Sequence, residues 1–151
     1  MKGPIDFGVF VAVRNEYDEY LLVRHGYGEE KWSLPGGGLE QGEVASDGAV
    51  REAKEETGYD IEVGQLIGIF AQKKKLGQVI LFEGKIKGGE IVIRDSGEIT
   101  ACGFMKPERI LMDEIYPGQL NLIRRAEEFR GNGQKTIFGL LTKSQKQEDK
   151  I

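Results

Sequence analysis

Gly36, Gly37 and Gly38 form an unbroken glycine run a few residues ahead of a helix-forming stretch, residues 43–57, that is itself closed by a glycine, Gly58. Glycine loses more conformational freedom on ordering than any other residue, so three in a row read as a loop rather than as the interior of a helix or strand. Gly58 falls where helices end in a left-handed turn. The chain must therefore turn tightly at 36–38 and emerge into one helix of about four turns.

Strand-like segments surround that helix. Residues 7–13 are almost continuously apolar and β-branched, as expected of a strand covered on both faces. Residues 15–19 are a polar turn, residues 20–24 a second strand, residues 25–31 a glycine-containing loop, and residues 32–34 a short extended piece stopped by Pro35. Beyond Gly58, residues 61–72, 78–86, 90–94 and 99–105 read as strands, the middle two flanking Gly88-Gly89. Residues 107–112 and 119–130 read as helices, the second carrying Leu120, Ile123, Ala126 and Phe129 at helical spacing. Residues 136–141 form a short last strand or helix. The pattern predicts an α/β (α+β) sandwich with a mixed sheet, one central helix and a C-terminal helix. It is expected to occupy residues 1–142 as one domain, with residues 143–151 a charged, frayed tail.

Composition narrows the function classes. The formal charge is −4, which disfavours a nucleic-acid polymer as partner because that needs a basic face. The apolar run at 7–13 is too short to span a membrane and is followed by Arg14-Asn15, with no cleavage-like site. A single cysteine, Cys102, cannot form an internal disulfide and reads as a buried or indifferent thiol. A cytoplasmic protein is the expectation.

The helix carries the chemistry. With Glu52 at zero on a wheel of about 100° per residue, Glu55 falls near −60° and Glu56 near +40°, so three carboxylates share one arc. Like charges at this spacing repel, and carboxylates near a helix C-terminus also oppose its dipole. Ala45 and Gly48 lie one turn upstream on that arc and leave space above it. Ala49, Ala53, Ser46, Thr57 and Val50 make a small-residue seam on another side for packing on a sheet. A hard divalent ion beside the carboxylates would turn the repulsion into binding, since oxygen donors suit Mg²⁺ or Mn²⁺.

Residues 37–59 contain Gly37, Glu43, Arg51, Glu52, Ala53, Glu55, Glu56, Gly58 and Tyr59 at the spacing Gly-x5-Glu-x7-Arg-Glu-U-x-Glu-Glu-x-Gly-U, where U is a bulky hydrophobic residue. This resembles the Nudix box. From the residue frequencies of this chain the seven fixed positions match by chance with a likelihood of roughly 3 × 10⁻⁵, so the motif is specific. Ala53, which is small, and Tyr59, which is aromatic, are loose fits at the two U positions. Residues 32–38 resemble the family's strand and glycine loop, and the likeness extends over about residues 5–130.

The resemblance implies a Nudix-type α/β/α sandwich and a MutT-like pyrophosphohydrolase that needs Mg²⁺ or Mn²⁺. Glu52, Glu55 and Glu56 would hold the metal, with the backbone carbonyl of Gly36 as a further ligand. Arg51 would pair with Glu43 and orient the glutamates. Glu98 resembles a downstream acidic residue that supplies a ligand or the base, and Arg24 resembles a residue that contacts substrate phosphate. Gly37 and Gly38 would border the bound substrate. One glutamate of the helix, or Glu98, would take the proton of the attacking water. His25 reads as a polar loop residue without a visible partner, and Trp32 as core rather than a base-stacking platform. Members specific for ADP-ribose often carry a proline about fifteen residues past the box, and dinucleoside polyphosphate members a tyrosine. Residues 72–76 here hold neither but include three lysines, a solvated turn. A nucleoside triphosphate or modified nucleotide is the expected small-molecule partner by elimination. A homodimer is compatible with the sequence, and a non-catalytic nucleotide-sensing module is the rival reading.

Overall fold

The structure is a computed structural model that describes residues 6–72 and 77–141; the three lysines at 73–75 and the tail at 143–151 lie outside the described residues. The first strand, β1 (Asp6–Val13), pairs in parallel with β6 (Gly77–Gly89) and antiparallel with β4 (Gly36–Gly38). Antiparallel β5 (Tyr59–Gln72) and then parallel β8 (Ile137–Leu141) complete a five-stranded mixed sheet, ordered β4-β1-β6-β5-β8. A three-stranded antiparallel sheet has β2 (Tyr20–His25) between β3 (Trp32–Ser33) and β7 (Ile99–Met105).

Two helices cover opposite faces. Along β1, Val9, Val11 and Val13 join Ala49 and Ala53 of α1 (Ala45–Thr57) in one buried cluster. Ala12 between them joins Leu122, Ile123, Ala126 and Phe129 of α2 (Pro117–Gly131) in the other. Successive strand residues point to opposite sides. The helices therefore sandwich the larger sheet, which is why residues 7–13 are apolar throughout. This is the α/β/α arrangement that the sequence predicts, and the last short element is a strand.

Four local readings need correction. The glycine run is a strand, not only a loop. Side chains at Gly36 could not fit, since a Cβ there would stand 2.2 Å from the Val9 carbonyl oxygen. The absence of side chains is what permits the close pairing with β1. Residues 90–94 are not a strand; β6 runs on to Gly89, and the next segment crosses the end of α1, where the Val92 N–H donates to the Thr57 carbonyl at 2.8 Å. Only Pro107–Arg109 of the predicted helix at 107–112 is helical, as a single 3₁₀ turn. Finally, α1 begins at Ala45, so Glu43 lies just outside it, and Val50 is exposed rather than part of the packing seam. Gly58 does end α1 in the left-handed conformation, at φ 88°.

Candidate active site

The seam of small residues on α1 determines which way the helix faces. Gly48, Ala49, Ala53 and Thr57 are buried, and this turns Glu52 and Glu56 toward the edge strand β4 and leaves Glu55 exposed. Together with Arg94, Ser96, Glu98 and Ile99 these three carboxylates line a cavity of about 150 Å³. Glu98, forty-two positions beyond Glu56 in sequence, thus reaches the same cavity from the loop that leads into β7.

Each carboxylate is held differently. Glu56 accepts a hydrogen bond from the Gly36 N–H at 2.8 Å. Burial, reinforced by the charges of Glu52, Glu55 and Glu98 and opposed by that hydrogen bond, raises its carboxyl to about 8. Glu52 is raised as well, first by burial, with Arg51 acting against it. Its carboxylate lies over Gly37, where a Cβ would stand 2.8 Å from Oε1. Glu55 is the outermost of the three and receives Arg51 Nη1 at 3.5 Å.

Arg51 connects the rest. Its Nε and Nη2 donate to the two oxygens of Glu43 at 2.8 and 2.9 Å, its Nη1 to Glu52 at 3.0 Å, and its Nη2 also to the Gly38 carbonyl at 3.3 Å. The guanidinium holds the Glu43 carboxyl down at about 2, through hydrogen bonding above all. Gly48 leaves room for this pair: a Cβ there would meet Leu39 at 2.4 Å and Glu43 at 3.0 Å.

The other residues predicted for the site fall around it. Gly36 presents its N–H to Glu56, Gly37 underlies Glu52, and Gly38 offers its carbonyl to Arg51; none of the three lines the cavity. Arg24 is exposed, donates Nε to the Glu30 carbonyl at 3.0 Å, and does not line the cavity either. His25 does have a partner, Ser33 Oγ at 2.7 Å from Nε2, and its ring meets Tyr27 and Tyr116 edge-on. Trp32 packs against the α2 core, and half-buried Cys102 is raised to about 11 by burial and then by Glu56, a neutral thiol. Sequence reasoning missed Arg94 and Ser96. A correct reading of residues 90–98 as a loop would have exposed them, because the segment holds Asp95-Ser96-Gly97.

The donor set suits a hard divalent ion. Among the described residues no three such side chains already converge as a ligand set. Yet the three glutamates of α1 and Glu98 bring only oxygen donors to one cavity. There the charge of Glu56 is disfavoured, and a cation would reverse that penalty.

A mixed sheet between two helices, with a carboxylate-bearing helix beside a cavity, defines an α/β/α sandwich with an acidic site on one helix. The NUDIX domain model matches residues 4–126, and the chain belongs to the Nudix hydrolase family. A Bacillus subtilis (strain 168) protein provisionally named an 8-oxo-dGTP diphosphatase is 38% identical over 103 residues, 68% of this chain and 68% of that one. A MutT-like protein of Streptomyces ambofaciens is 38% identical over 108 residues, 70% of this chain and 68% of its own length. The crystal structure of a NUDIX hydrolase from Nitrosomonas europaea superimposes with a TM-score of 0.80 at 22% identity, covering 93% of this chain and 80% of that chain, a likeness of fold. Nudix hydrolases generally use divalent metal ions. No helix among the described residues is long and apolar enough to cross a membrane.

Proposed function

We propose that this chain is a cytoplasmic pyrophosphohydrolase that uses Mg²⁺ or Mn²⁺ to cleave a diphosphate linkage in a nucleoside triphosphate or modified nucleotide. The observation that carries the reading is the meeting of Glu52, Glu55, Glu56 and Glu98 at one cavity, with the half-buried Glu56 held by a backbone N–H. Glu52, Glu55 and Glu56 would hold the metal, with the Gly36 carbonyl a further ligand. When bound, the ion neutralises phosphate charge and makes a water nucleophilic at neutral pH.

The chain's own groups do the rest. Arg51, locked by Glu43, holds Glu52 and Glu55 in register, a role that metal sites assign to outer partners of the ligands. Glu98 faces the helix from the opposite wall and takes the proton of the attacking water. Arg24, Gly37 and Gly38 border the substrate farther out. The name of the Bacillus relative, a provisional 8-oxo-dGTP diphosphatase, supports a nucleoside triphosphate over ADP-ribose.

Turnover of a panel of nucleoside triphosphates, oxidised nucleotides, ADP-ribose and dinucleoside polyphosphates with Mg²⁺ tests the proposal, with product analysis to show which bond breaks. Release of a nucleoside monophosphate and inorganic pyrophosphate from the triphosphate, abolished by chelator and restored by Mg²⁺, is expected. Rates indifferent to chelator would refute it, and binding of nucleotide without turnover would favour the sensing module.

A further inference from the structure

The irregular segment that follows β6 is fastened at both ends. Near its start the Val92 N–H donates to the Thr57 carbonyl, at the C-terminus of α1; at its end the Glu98 carbonyl accepts the Gly26 N–H at 2.9 Å. Both fastenings depend on glycine. A Cβ on Gly58 would stand 2.4 Å from the Glu90 carbonyl oxygen, and one on Gly26 would stand 2.0 Å from that of Gly97. Between the anchors, Arg94, Ser96 and Glu98 form the wall of the cavity that faces the helix glutamates.

Arg94 is exposed on that wall, and among the described residues it has neither a hydrogen bond nor an ion pair. Arg51, by contrast, is paired with four glutamates, Glu40, Glu43, Glu52 and Glu55. A guanidinium stays charged at any working pH, and its planar fork matches the oxygens of a phosphate. The helix carboxylates attract phosphate only through a cation. Arg94 is the cavity-lining residue that attracts it directly.

We propose that Arg94 binds substrate phosphate from the wall opposite the helix and selects substrates with a phosphate beyond the two that flank the scissile bond. The proposal rests on reading the cavity as the pyrophosphohydrolase site. It is tested with Arg94→Ala and Arg94→Lys in two assays. The first is the kinetics of a nucleoside triphosphate and its diphosphate with Mg²⁺; the second is calorimetric binding of inorganic tripolyphosphate with Mg²⁺.

For Arg94→Ala the expected result is a KM for the triphosphate raised about tenfold or more, as for loss of a charge-assisted hydrogen bond. The diphosphate KM and both kcat values should stay within about threefold, because the contact is made equally in ground and transition states. Tripolyphosphate binding should weaken in parallel, Arg94→Lys should recover part of both losses, and the melting curve should not move. Unchanged triphosphate KM and unchanged tripolyphosphate affinity would overturn the proposal, as would failure of the wild type to bind tripolyphosphate. If the wild type hydrolyses no nucleotide, the assigned activity fails, but calorimetry still decides Arg94: tighter tripolyphosphate binding by wild type than by Arg94→Ala upholds it, and equal binding overturns it.

Discussion

Arg51 grips Glu43 with two prongs, Nε and Nη2 each within 3 Å of a different carboxylate oxygen, and so keeps Nη1 free to reach Glu52 at 3.0 Å. One planar group thereby ties the residue just before α1 to the acidic arc on it. Lysine carries the same charge but cannot bridge in this way. Arg51→Lys and Glu43→Gln should each lower Mg²⁺ affinity or kcat by about 10- to 100-fold, as for outer partners of metal ligands. Titrating kcat against Mg²⁺ checks this, and wild-type values in Arg51→Lys would reduce the fork to a surface ion pair.

Glu55→Gln and Glu56→Gln should lower kcat by about 100-fold or more while the fold persists, because each removes charge stabilisation from the transition state. Ala53→Val is the control, since Ala53 is fully buried on the packing side of α1. Extra methyl groups there should cost about 1–3 kcal/mol and lower Tm by several degrees with kcat unchanged. Similar activity in all three variants would separate the acidic arc from the chemistry.

Two carboxylates give the metal-free protein opposite pH dependences. Glu43 is held down at about 2 by Arg51, below its ordinary 4.5, so its contribution is present above 4.5 and lost as pH falls toward 2. Glu56 is raised to about 8, so its folded state holds a proton that the unfolded state has released. That contribution is present below 4.5 and lost as pH rises through about 8. In chelator, Tm should decline between about pH 5 and pH 9, and Glu56→Gln should flatten the decline because its neutral amide does not titrate. A wild-type profile that rises over this range, or a variant profile as steep as the wild type, would contradict the raised carboxyl of the half-buried Glu56.

Gly58→Ala should damage both stability and the site. At φ 88° a β-carbon is strained, and the added atom would press on the Glu90 carbonyl and the Val92 N–H, which are backbone and cannot rotate away. A loss of more than about 1 kcal/mol is expected, visible as a Tm drop of at least a few degrees. Because Val92 anchors the wall that bears Arg94, the KM should rise as well. A variant as stable as wild type would show that the segment crossing α1 is loosely held.

Much of the site was legible because a helix converts spacing into direction without help from distant residues. The positions of Glu52, Glu55 and Glu56 around α1, and the terminating role of Gly58, follow from about 100° of turn per residue. The alternation of Val9, Val11 and Val13 against Ala12 was hidden by its own success: both faces are covered, so the pattern reads as a continuous run. His25 was misread for a different reason. Its partner, Ser33, lies eight residues away on the neighbouring strand, and only the β2–β3 pairing brings them together.

The glycine run and residues 90–94 mark the boundary of what spacing can say. Three glycines carry no side chain from which to read a face, and their strand exists because β1 offers backbone partners at close range. Residues 90–94 have the β-branched composition of a strand, but among the described residues no strand pairs with them; the Val92 N–H bonds to the end of α1 instead.

The sequence by itself determined the acidic arc of α1, the glycine that closes the helix and the continuous apolar run of a strand covered on both faces, because each depends only on neighbours within one or two turns. Only the tertiary structure decided that Glu56 is half-buried on a backbone N–H, and that Glu98 and Arg94 stand across the cavity from it. Those relations join segments some twenty to forty residues apart, and they rest on a few backbone hydrogen bonds and on the missing side chains of Gly26, Gly36 and Gly58.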